Sequence, residues 1–198
     1  MVTLFDNILS QGVRAGQIPA RTQQARDWYR NTAKSYGNIS ENQFLRSGEK
    51  ERFTNSPRVG SMYMFTYDAK WKDDLPYWDK FPLVFPFTTV PGGFLGLNLH
   101  YLPLQYRAKL MDSLYTITNN QLYNETTKLK LSYEVLNKAS QFKYFKPTVK
   151  HYLTGQMMSR FLYIYPAEWD MALFLPLERF QKANKQQVWS DSRKIIGS

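Results

Sequence analysis

Two apolar runs, PLVFPFTTV and GFLGLNLHYL, flank a Pro-Gly-Gly at 91–93, and no other stretch limits the fold as much. Glycine tolerates positive φ and proline presets a turn, so the two runs read as the strands of an antiparallel hairpin. Upstream, VGSMYMFTYD alternates, with Met62, Met64 and Thr66 on one face and Tyr63, Phe65 and Tyr67 on the other, as a strand does. Between them KWKDDLPYWDKFP is a loop or broken hairpin, because Pro76 and Pro82 lack backbone donors. RFLYIY is a further strand. Pro166 then starts a turn or a first helical turn, with AEWDMALFL following and Glu168 and Asp170 expected at the surface.

Helical spacing appears elsewhere. LFDNIL sets Leu4, Phe5, Ile8 and Leu9 on one side of a short helix, and after Pro103 the positions Leu104, Arg107, Ala108, Met111, Leu114 and Tyr115 recur at three and four residues. LKLSYEVLNKAS, 129–140, is another helix, with Ser132 as its cap. The expected fold class is α+β: an antiparallel sheet or small bent β-barrel from about Val59 to Leu102 plus the strand near Phe161, packed by helices over 104–140 and after 166. Residues 1–58 are expected to form a basic N-terminal arm, extended or helical, with short helices. Residues 59–198 form a single α+β core ending in a polar basic tail. Within the arm a helix over 21–35 has two readings: docked on the domain by Trp28 and Tyr29, or free to bind a partner.

The chain has 198 residues, 43% of them hydrophobic, enough for one substantial core. Its 26 Lys and Arg against 16 Asp and Glu leave a formal +10, a bias toward polyanions such as nucleic acid, or toward an acidic protein or membrane surface. With no cysteine, disulfides, thiolate nucleophiles and thiolate metal sites are excluded. The N-terminus shows no secretory pattern and no window is long and apolar enough for a membrane span, so the expectation is a soluble protein with no membrane partner.

The cations fall in two groups. Arg21, Arg26 and Arg30 lie on the arm, and from Lys138 to Arg160 the chain is basic without an acid, with Lys143, Lys146, Lys150 and His151 interleaved with rings such as Tyr144. Most rings of 62–87 are expected to be packing, but those beside lysine can stack on a base while the ammonium meets a phosphate. Trp71, between Lys70 and Lys72, is the leading case. Asp68, Asp73, Asp74 and Asp79 in the same stretch oppose phosphate binding. The candidate nucleic-acid contacts are therefore Arg21, Arg26, Arg30, Lys143, Lys146, Lys150 and Arg160, with Trp71 and Tyr144 for stacking.

No catalytic signature is present. His100 and His151 form no paired metal motif, there is no phosphate-binding glycine loop or dinucleotide fingerprint, and no GxSxG elbow. No catalytic residue, metal ligand or cofactor is assigned, and His100 and His151 read as hydrogen-bonded edges of the core. A metal-dependent nuclease using Asp73 and Asp74 is the weakest reading.

The succession MYMFTYDAKWKDDLPYWDKFPLVFPF, GFLGLNLHYLP, AEWDMALFLPLERF and VWSDSRK resembles the DNA end protectors of T-even-like tailed bacteriophages, over about residues 60–195. The resemblance implies a non-enzymatic minor virion protein. It would sit on the end of the packaged double-stranded DNA and shield it from host exonuclease, first in the head or head-tail region and then in the host cytoplasm. The alternative is an assembly protein that binds portal, neck, tail or baseplate subunits, with its oligomeric state set by assembly.

Overall fold

The computed structural model describes residues 3–19, 21–47 and 50–197. In chain order its elements are α1 Leu4–Arg14, α2 Gln23–Ser35, α3 Glu41–Ser47, β1 Phe53–Thr54, β2 Met62–Met64, β3 Trp78–Asp79, β4 Leu83–Val90, β5 Gly93–Asn98, α4 Leu104–Thr118, α5 Glu125–Gln141, β6 Val149–Leu153, β7 Phe161–Ile164, α6 Trp169–Phe174, β8 Phe180–Gln181 and α7 Lys185–Gly197. Six strands form one antiparallel sheet in the order β1-β7-β2-β4-β5-β6, and β3 pairs with β8 separately. The fold is α+β. The sheet is open, with β1 and β6 at its edges, so of the two forms the sequence allows it is the antiparallel sheet and not the small bent β-barrel.

The hairpin forms as its sequence dictates. Val90 pairs with Gly93 across a turn in which Gly92 takes φ 78°, a conformation that only glycine adopts without cost. Pro86 sits where the β4 to β5 register shifts, between Pro86 and Thr88, and a bulge is where a strand tolerates a residue without a backbone donor.

The alternation in β2 separates two cores. Met62 and Met64 join Leu83, Phe85, Leu97, Leu162 and Ile164 under the helices. Tyr63 and, just beyond the strand, Phe65 and Tyr67 join Val84, Phe94, Tyr152 and Phe161 in a second cluster on the opposite face. That second cluster is almost wholly aromatic, its rings meeting edge to face, as Phe65 does with Tyr152 at 5.3 Å and with Phe161 at 4.9 Å. Both faces of the sheet are thus covered, which is why β4 is buried continuously from Leu83 to Phe87.

Of the two readings of the segment 21–35, the docked helix is the one found. Thr3 and Asp6 form a reciprocal capping box for α1, and Thr22 caps α2 by accepting from the Ala25 amide at 3.1 Å. Phe5 and Ile8 of α1 and Tyr29 and Ala33 of α2 belong to the main core. Gly12 lets the two helices meet: a Cβ there would lie 2.0 Å from the Tyr29 hydroxyl, which donates to the Gln17 carbonyl at 3.0 Å. The C-terminal segment also docks. Val188, Ser192 and Ile196 of α7 are buried, Ser192 Oγ donates to the Tyr101 carbonyl at 2.6 Å, and Trp189 Nε1 donates to the His100 carbonyl at 2.8 Å.

Glu168 and Asp170 depart from the expected surface position, for a long-range reason. Glu168 accepts from Arg52 through both oxygens at 2.7 Å, and Asp170 accepts from Arg30 Nε at 2.6 Å. Burial pushes both carboxyls up in pKa against the pull of their arginines. Ser132 lies inside α5, which is capped by Asn124, its Oδ1 accepting from the Thr127 amide at 2.8 Å.

Arg30→Met should lower unfolding stability by about 3 kcal/mol, because it strands Asp170, whereas Arg21→Met on the exposed segment should change it by less than about 0.5 kcal/mol. Equal effects in urea titrations would contradict the buried pair. Gly12→Ala should cost about 1–3 kcal/mol by forcing α1 off the Tyr29 ring, and wild-type stability would show that the helices do not touch as described.

Candidate nucleic-acid interface

The residues expected to meet DNA are distributed over four parts of the molecule. On α2 and just before it, Arg21 is exposed, while Arg26 is half-buried beside Asp112, with Nε 3.3 Å from Oδ1 and the guanidinium 5.3 Å from the Tyr115 ring centre. Arg30 departs from its expected role. It is buried, donating to Asp170 and, through Nη2, to Asp112 Oδ1 at 2.6 Å, with its guanidinium 5.6 Å from the Phe174 ring centre. Two carboxylates already consume that cation, so it holds α2 against α6.

The acid-free run from Lys138 to Arg160 does not form one patch. Lys138 ends on α5, and Lys143, Tyr144 and Lys146 are exposed on the 3-10 turns of Lys143–Thr148. Tyr144, 49% exposed, stacks on Tyr106 of α4 at 6.3 Å with planes 27° apart. Together with Phe142, 59% exposed, and Lys109 and Lys138, these rings line a groove of about 450 Å³ between α4 and α5. Arg160 is elsewhere, donating to Asn55 Oδ1 at 3.1 Å and to the Phe53 carbonyl, so it clips β1 to β7.

Trp71 and Lys150, far apart in sequence, are brought together. They line a cleft of about 480 Å³ between the 67–79 segment and β6, whose other walls include Lys70, Tyr77, Trp78 and His151. Residues 69–75 close on themselves, the Lys72 amide donating to the Ala69 carbonyl at 3.2 Å and the Leu75 amide to the Trp71 carbonyl at 3.0 Å. Lys182 then fixes the turn from behind, its Nζ donating to the carbonyls of Lys72, Asp73 and Leu75 at 2.5, 3.0 and 3.1 Å. Trp71 is presented from this clamped tip with 61% of its surface exposed.

Lys150 comes from the aromatic face of β6, beside Tyr152 and opposite Gly96. Its Nζ lies 3.9 Å from the centre of the Tyr101 ring, a cation–π contact. Burial without an acidic partner pulls its pKa down to about 8, and an arriving anion would favour the protonated form. Of the aspartates in this stretch, Asp68 is paired with Lys72 at 2.8 Å, and Asp73 and Asp74 are not among the lining residues. Asp79 is at the floor but occupied. Its oxygens accept from the amides of Phe81 and Arg179 and from Asn98 Nδ2, and meet His100 Nδ1 at 2.7 Å.

Behind this floor Arg107 is fully enclosed, donating to the carbonyls of Leu102, Leu173 and His100 and to Glu178 Oε1 at 2.7 Å. The network joins β5, α4, the segment after α6 and α7, and it holds the cleft floor rigid. His100 is an element of this structural network, whereas His151 is exposed at the cleft rim. Among the described residues no group of three or more His, Asp or Glu is placed to hold a metal, and no helix is long and apolar enough to cross a membrane.

From the sequence Lys70 enters only as the neighbour of Trp71 and Lys109 does not enter at all, although each has a local signal. Lys70 precedes Trp71 and lies 4.9 Å from its ring centre, and Lys109 is one turn after Tyr106 and 5.7 Å from its ring centre.

No curated protein and no solved structure matches the chain. A family model does, that of the phage T4 terminal DNA protecting protein, and the match runs over residues 4–195. It takes in α1 to α3, which the resemblance read from the sequence had left outside. With nearly its whole length matched, from the first helix to the last, the chain belongs to the phage T4 terminal DNA protecting protein family.

Proposed function

We propose that the protein binds the terminus of packaged double-stranded DNA and shields it from host exonuclease by covering it, without catalysing a reaction. Family membership across residues 4–195 carries this reading. The geometry supports it with exposed lysines and an exposed ring held on a rigid turn. In this reading Lys143 and Lys146, with Arg21, neutralise phosphates near the end and release counterions, giving affinity that is independent of sequence and falls steeply with salt. A domain of 198 residues has a radius of gyration of about 16 Å, enough to cover roughly one helical turn at about 3.4 Å per base pair. Such a cap leaves an exonuclease no free end to enter. The protein would travel in the virion, in the head or at the head-tail region, and act in the host cytoplasm when the DNA enters.

One observation favours a second reading. The groove between α4 and α5, with Phe142 and Tyr144 exposed among lysines, suits a contact with an acidic surface of a portal, neck or tail protein.

The discriminating experiment compares blunt linear duplex with closed circular duplex of the same sequence at several salt concentrations, with and without an exonuclease. Preference for the linear form, resistance of that form to the exonuclease, and a salt slope reduced by about 2 in a Lys143→Gln, Lys146→Gln double variant are expected. Equal affinity for both forms would contradict end binding. Absence of DNA binding at low salt together with stable association to a portal or tail protein would establish the second reading, and magnesium-dependent cleavage would refute the non-enzymatic claim.

A further inference from the structure

We propose that the cleft between the 67–79 segment and β6 is a slot for one unpaired nucleotide at the DNA terminus, its base against Trp71 and its phosphate at Lys70 and Lys150. This deepens the end-binding reading and rests on it.

Shape is the first argument. The exposed end of a duplex is a flat base pair, which asks for a flat platform. Here the rings stand around a concavity of about 480 Å³, within the range of small-molecule sites and suited to a single base with its sugar. Tyr77, Trp78 and Tyr101 wall it, and only Trp71 among these rings is largely exposed.

Charge is the second. Lys70 and Lys150 have no carboxylate partner among the described residues, and each lies over a ring, of Trp71 and of Tyr101 respectively. The nearby acids are satisfied by other groups or lie outside the lining, as described above. Two cations held against aromatic faces at one opening are arranged for a group that is both anionic and planar, which describes a nucleotide. Trp78 is a lining residue, and its buried indole N–H has no acceptor among the described residues.

Rigidity is the third. An exposed tryptophan on a mobile loop would lose entropy on stacking. The Lys182 clamp and the turn hydrogen bonds hold this one in place before any ligand arrives.

The test compares blunt duplexes with duplexes carrying a one-nucleotide 3′ extension or a one-nucleotide 5′ extension, the extra base being 2-aminopurine. The wild-type protein should bind one extended end about tenfold more tightly than the blunt end and quench the 2-aminopurine. Trp71→Ala should abolish both the preference and the quenching, so that extended and blunt ends bind equally. Lys150→Met should reduce the preference and leave the fold intact by circular dichroism. If the wild-type protein binds extended and blunt ends equally, the slot is wrong and end binding survives. If Trp71→Ala weakens every end equally, Trp71 is a platform for the terminal pair and the slot is wrong. If the wild-type protein does not distinguish linear from circular duplex, the reading beneath it fails.

Discussion

Three buried arginines tie the layers of this fold together. Arg30 joins α2 to α6 through Asp170, Arg52 reaches Glu168 across the sheet edge, and Arg107 joins α4 to the chain after α6 through Glu178. Each pairs with a carboxylate that is itself almost wholly enclosed. A buried ion pair is weak evidence of net stability, but breaking one is costly, so such pairs fix which surfaces may meet. The pairs also sort the charge. They draw arginines and acids inward together, so the +10 excess is displayed at the surface, much of it on lysines such as Lys143 and Lys146.

The sheet supplies the other half of the design. Its helical side is an ordinary mixed core. Its opposite side is closed largely by aromatic rings packed edge to face, and among the described residues that cluster takes none from an α-helix. That second cluster runs directly into the cleft, since Tyr67 and Tyr152 belong to both. The aromatic abundance of 62–87 therefore has two answers in one stretch. Tyr63, Phe65 and Phe85 pack, and Trp71 is presented.

What the sequence made legible was what depends on near neighbours. The hairpin was readable because its turn is Pro-Gly-Gly, and β2 because Met and aromatic residues alternate. The helices after Pro103 were readable from their spacing. Glu168 and Asp170 were misjudged because their partners lie 116 and 140 residues away, and no local pattern encodes such a pairing. Arg30 was misjudged for the same reason. The strand β6 hid behind Lys150 and His151, which break its apolar alternation and make VKHYL look like a charged surface. For the site, Trp71 was visible through its lysine neighbours. The cleft was not, because it exists only once β6 lies beside the 67–79 segment.

Occlusion of a DNA end, as opposed to coating or cutting it, predicts where along a duplex the protein sits. The most direct measurement is a hydroxyl-radical footprint on end-labelled linear duplexes of several unrelated sequences. The account predicts protection confined to about one helical turn at the termini, the same for every sequence. Protection spread evenly along the duplex, or new strand breaks made by the protein, would contradict it.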